Sequence, residues 1–185
     1  MREMRYQILS PIIGCALLVP GVSSGQRLDP ELPGRTVMAG LGVRDAGDLG
    51  TVWVATLGVR FPVAQRVNAG LTAWGSGVPD RSCPQEVGVR CAGSGSLTGL
   101  DVGVEFYYGR GMVHPYGVAS VGVGHLSLPD EDVRRTAFSY STGVGLGARA
   151  GSRVWLFGEV RWRHESFGAY RAHGAMGTLG GKWGF

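Results

Sequence analysis

Along most of this chain apolar and polar residues alternate with a period of two, the repeat of a β-strand whose faces meet different surroundings. Eight such runs follow one another, at Arg35–Arg44, Thr51–Pro62, Arg66–Gly77, Leu97–Arg110, His114–Leu128, Thr136–Ala150, Arg153–Glu165 and Ala172–Phe185, with turn chemistry between them. In the fourth, Leu100, Val102, Val104, Phe106 and Tyr108 share one face, and Asp101, Gly103, Glu105 and Gly109 the other. The sixth sets Phe138, Tyr140, Val144, Leu146 and Ala148 against Ser139, Ser141, Gly143, Gly145 and Arg149. The seventh opposes Val154, Leu156, Val160 and Trp162 to Glu159, Arg161, Arg163 and Glu165, and the eighth opposes Leu179, Trp183 and Phe185 to Thr178, Gly180 and Lys182. No stretch after residue 25 carries a helical period. The pattern predicts an all-β fold, an eight-stranded antiparallel up-and-down barrel with both ends on one side.

Which face points outward decides the class. A water-soluble barrel buries its apolar face, whereas a membrane barrel turns it to lipid and keeps a polar interior. The aromatic positions choose between them. If the first strand runs outward from the periplasm, Phe61, Phe106, Tyr108, Trp183 and Phe185 fall at periplasmic ends, and Trp53, Phe138, Tyr140 and Trp162 at outer ends. Two belts at opposite interfaces are the signature of a lipid-facing barrel. The same orientation gives short periplasmic turns near Val63–Gln65, Gly111–Val113 and Gly151–Ser152. The outer connections are longer, at Val78–Ser96, Pro129–Arg135 and Ser166–Ala172. The polar face carries both signs of charge, which predicts a lumen of mutually neutralising side chains: Asp101, Glu105, Arg149, Glu159, Arg161, Arg163 and Lys182. Eight strands leave an interior wide enough for side chains and no real pore.

Composition refines this picture. Glycine is abundant, 33 of 185 residues, with no collagen-like period, and lets bulky Arg and Trp side chains fit a narrow lumen. Arg2 and Arg5, the apolar run Ile12–Val19 and the small residues Ser23, Ser24 and Gly25 read as a secretory signal peptide over 1–25. A short lead-in, 26–34, then precedes the barrel, 35–185. Cleavage near Gly25–Gln26 removes Cys15 and leaves Cys83 and Cys91, an exported pair that reads as a disulfide within the longest outer loop. The net charge of +4 is too small and dispersed for nucleic acid.

In this pattern the chain resembles the small outer-membrane β-barrel proteins grouped with the OmpA transmembrane domain and OmpX. The most specific feature is the C-terminal run Gly177-Thr178-Leu179-Gly180-Gly181-Lys182-Trp183-Gly184-Phe185. It looks like the signal read by the barrel-assembly machinery, and the resemblance implies Leu179, Trp183 and Phe185 as the recognised side chains. It also implies residence in the bacterial outer membrane, with outer-membrane lipid as a partner.

Candidate chemistry is sparse. The His164-x-Ser166 spacing on the penultimate strand resembles the pair of outer-membrane lipid A deacylases, with both side chains facing lipid near the outer rim. Residues 166–185 contain no Asp or Glu to complete that family's triad, and Phe167-Gly168-Ala169 departs from its pattern. Glu105, Glu159, Arg161, Arg163 and Lys182 could line a proton or ion path, against which internal salt bridges are the simpler account. His114, His125 and His173 are too dispersed in sequence to suggest a metal site. The glycine runs at 143–147 and 122–124 lie within strand alternation, so neither is a phosphate loop. The sequence therefore predicts a non-enzymatic outer-membrane barrel without cofactor or metal. Its role would be envelope-structural, or adhesion and interaction through the loop 78–96. A lipid A-modifying hydrolase and a soluble periplasmic ligand-binding barrel stand as alternatives.

Overall fold

The computed structural model describes residues 34–78, 95–108, 111–129 and 132–185. The signal peptide, all of the lead-in but Gly34, the Cys83–Cys91 pair and most of the loop 78–96 lie outside the described residues. Eight strands follow in order: β1 Thr36–Asp45, β2 Thr51–Ala64, β3 Val67–Val78, β4 Gly95–Tyr107, β5 Val113–Leu128, β6 Val133–Arg149, β7 Val154–Phe167 and β8 Tyr170–Gly184. Each pairs antiparallel with its sequence neighbour, and β8 closes on β1 in a barrel. Closure leaves no edge strand, so the wall's backbone groups find their partners in the ladders. A 3-10 turn at Gly47–Leu49 lies between β1 and β2.

The alternation of the sequence becomes the two faces of the wall. Leu41, Leu57, Val102, Val144, Val160 and Leu179 stand outward and exposed, while Arg44, Arg60, Glu105, Arg163 and Lys182 are buried inside. Both aromatic belts face outward. Trp53 and Phe138 are 75% and 63% exposed at one end, and Tyr108 and Phe185 are 59% and 69% exposed at the other.

Five connections bear on the expected layout. At the end where β1 begins and β8 finishes, the turns are short, as the sequence predicts. At the opposite end, two connections are much shorter than expected, because β6 already begins at Val133, β7 runs to Phe167 and β8 resumes at Tyr170. Gly168, with φ of 77°, supplies the left-handed residue of the tight β7–β8 turn. The reason for the longer strands lies inside. Leu49, Val52, Val54, Leu97, Leu126 and Phe167 form a buried apolar cluster in that end of the lumen, so the ladders continue around it. Polar residues stand outward on these extensions, opposite to the polarity lower in the same strands.

The narrow interior accepts large side chains only where the facing wall is bare. A Cβ at Gly99 would lie 2.3 Å from Trp74, and one at Gly145 would lie 2.4 Å from Tyr116. Each ring therefore occupies space that an alanine would take. Gly99→Val should displace Trp74 and lower stability by about 1–3 kcal/mol, as overpacking does. The midpoint of denaturant unfolding in detergent, followed by tryptophan fluorescence, measures it; an unchanged midpoint would mean that the ring is not confined.

Candidate functional site

The polar centre of the molecule is the lumen, and it is built from inward positions of every second residue. Five cations (Arg44, Arg60, Arg161, Arg163, Lys182) and four carboxylates (Asp101, Glu105, Glu159, Glu165) are buried there. They form two linked groups.

The first surrounds Glu105 on β4. Its Oε1 accepts from Arg60 Nε of β2 at 3.0 Å, and its Oε2 accepts from Lys182 Nζ of β8 at 2.8 Å and from the Tyr107 hydroxyl at 2.7 Å. Lys182 also donates to the Tyr107 oxygen at 3.0 Å, and its ammonium lies 4.5 Å from the centre of the Tyr116 ring. Arg60 spends its other nitrogens on Thr72 Oγ1 and the Val59 and Leu71 carbonyls. Tyr116 donates in turn to Glu159 at 3.1 Å, and Glu159 binds Arg161.

The second group lies nearer the apolar cluster. Arg163 of β7 grips Asp101 of β4 with both terminal nitrogens, at 2.5 and 2.9 Å, a bidentate arrangement that fixes both planes. Its Nε donates to Glu165 at 2.6 Å, and Arg44 of β1 donates to the other oxygen of Glu165 at 2.7 Å. The Trp74 ring packs against both guanidiniums, 4.1 Å from Arg163 and 5.7 Å from Arg44. Between the groups, bordered by Thr56, Thr72, Asp101, Glu159 and Thr178, is a cavity of about 10 Å3, room for about one water.

Of the lumen residues expected from sequence, Asp101, Glu105, Glu159, Arg161, Arg163 and Lys182 come together in this way. Arg149 does not. It has the inward parity but stands at the rim, exposed, donating to the Gly151 carbonyl and lying 5.9 Å from the Trp155 ring. Alternation gives the face of a residue and not its depth. Arg44, Arg60, Tyr107 and Trp74 line the lumen as well. Parity from Trp53 and Phe61 could have placed Arg60 inside.

His164 and Ser166 take the outward face of β7. His164 stacks on Tyr140 at 5.1 Å between ring centres and lies 6.0 Å from His173, its partner in register on β8. Ser166 is exposed beside Arg171. Glu165 points through the wall into the lumen, where Arg44 and Arg163 hold it, so it cannot orient His164. Among the described residues no three His, Cys, Asp or Glu side chains are placed to hold a metal. Leu179, Trp183 and Phe185 stand outward and exposed on or just beyond β8.

Removing one partner of a buried ion pair leaves a charge without compensation and costs about 3–5 kcal/mol. Glu105→Leu would strand Arg60 and Lys182 together and should lower stability by at least that much. The double variant Glu105→Leu with Lys182→Met should recover part of the loss. Denaturant midpoints of the four combinations check this, and additive effects would show that the two residues are not coupled.

No family model matches the sequence, and no curated protein matches it. Solved structures do. Neisserial surface protein A superposes with a TM-score of 0.59 at 12% identity, over 82% of this chain and 96% of that one. The N-terminal β-barrel domain of Pseudomonas aeruginosa OprF superposes with a TM-score of 0.53 at 17% identity, over 83% and 98%. At such identities the likeness is one of fold: this chain has the closed eight-stranded architecture of the small outer-membrane barrels.

Proposed function

We propose that this protein is a non-conducting, non-enzymatic barrel of the bacterial outer membrane. In this reading it stabilises the envelope or presents its outer loops, chiefly 78–96, to a partner. The observation that carries the reading is the inversion of the wall: an exposed apolar outer face bounded by two aromatic belts, around an interior of buried ion pairs. In water that outer face would be an unsheltered apolar surface far larger than a soluble monomer carries. In a bilayer it is the favourable one. This argues against a soluble ligand-binding barrel.

The end where β1 begins is then periplasmic, and the apolar cluster and tight β7–β8 turn project beyond the outer interface. The exposed Leu179, Trp183 and Phe185 on the closing strand suit recognition by the barrel-assembly machinery. Against conduction stand the ion pairs that span the lumen and the apolar cluster above them. Against the hydrolase reading stands the burial of Glu165 on the wrong side of the wall.

Fractionation should place the protein in the outer membrane, and the unheated form should migrate apart from the boiled form on a gel, since the closed ladder resists detergent. Recovery as a soluble periplasmic protein would overturn the reading. In planar bilayers the purified barrel should give no discrete conductance steps. Ser166→Ala should leave the lipid A profile of the host unchanged; a shift in acylation would restore the hydrolase.

A further inference from the structure

The modest net charge conceals a sorting of charge by end. Outside the lumen, every Asp and Glu from residue 35 onward falls in sequence at the end of β1 or between β1 and β2, β3 and β4, or β5 and β6: Asp45, Asp48, Asp80, Glu86 and the run 130–132. The connections at the other end, 65–66, 108–112 and 150–153, contain no acidic residue. That end instead exposes Arg35, Arg66, Arg149 and Arg153. Among the described residues none of these four guanidiniums forms an ion pair. The outer end, by contrast, mixes Arg134, Arg135 and Arg171 with its acids.

The four arginines are arranged as a collar. Arg149 and Arg153 flank the β6–β7 turn, Arg66 sits in the β2–β3 turn, and Arg35 precedes β1. Across the seam, Gly184 N donates to the Arg153 carbonyl at 2.7 Å and Phe185 N to the Arg35 carbonyl at 3.1 Å. This places Arg35 and Arg153 on either side of the exposed Trp183 and Phe185. A terminal carboxylate at Phe185 would offset one charge and leave the collar positive. Arginine beside interfacial aromatics is suited to phosphate: the aromatic ring sits at headgroup depth, and the guanidinium offers paired donors to a phosphodiester. Such charges next to a membrane attract anionic lipid and lose that attraction in salt.

We propose that this collar binds the headgroups of anionic phospholipids in the periplasmic leaflet and so holds a shell of them around the barrel. The inference rests on the membrane orientation given above. Its test is native mass spectrometry of the full mature chain in detergent, titrated with phosphatidylglycerol and, separately, with phosphatidylcholine. Wild type should prefer phosphatidylglycerol by at least about five-fold. In the variant R35Q/R66Q/R149Q/R153Q the two lipids should bind alike, whereas R134Q/R135Q/R171Q at the outer end should keep the preference. Equal binding by wild type, or loss of preference in the outer variant alone, would overturn the proposal. The heat-dependent gel shift, recorded for every variant, shows that each is folded. A barrel that shifts with heat but shows no lipid preference sinks this inference alone, whereas failure to reach the outer membrane sinks the reading beneath it.

Discussion

Glu105 is the point on which the interior depends. Its two oxygens take a guanidinium from β2, an ammonium from β8 and a phenol from its own strand. β4 and β8 lie four strands apart by either route around the wall, so the bond to Lys182 spans the barrel's diameter. Taking charges out of water is expensive, and such a pair stabilises only if its remaining donors and acceptors are also met. Here most of them are: Arg60 uses its outer nitrogens on Thr72 and two carbonyls, and Tyr107 closes the triangle between Glu105 and Lys182. The bare inward faces at Gly99 and Gly145, the stacking of Trp74 and the placement of Tyr116 all serve to make room for such groups in a space with little to spare.

The same strands obey two opposite rules along their length. Between the aromatic belts apolar residues point out and charge points in. Beyond the outer belt the polarity changes over: Leu97, Leu126 and Phe167 turn inward, while Thr98, His125 and Thr136 turn outward. Backbone geometry is continuous through the change, since a strand alternates its faces regardless of what lies on either side. What changes is the medium. The lower part of the wall is suited to lipid and the upper part to water, and one ladder serves both.

This explains what the sequence could and could not disclose. The strand count, the closure and the inversion were legible because alternation is a local property that eight strands repeat. The full length of β6, β7 and β8 was not, since the stretches at 133–135 and 170–171 reverse the apolar-outward pattern and resemble loop. Arg60 was hidden by the neighbouring Phe61-Pro62, and Tyr107 by lying between two outward aromatics, Phe106 and Tyr108. For Arg149 the alternation carries the face of the strand but not the distance from its end. Pairings such as Arg44 with Glu165 join residues 121 positions apart, and only the register of the closed barrel brings them together.

The bond between β4 and β8 has a consequence for how the chain can exist at all. Lys182 lies three residues from the end of the sequence and finds its partner only when the final strand meets the first. Until then Glu105 and Arg60 face an open, wet trough. Zipping the seam and drying the interior are therefore a single event, and reopening the seam would cost the internal struts together with the ladder. The ladder and the struts thus hold the seam together, and a lateral opening would have to break both.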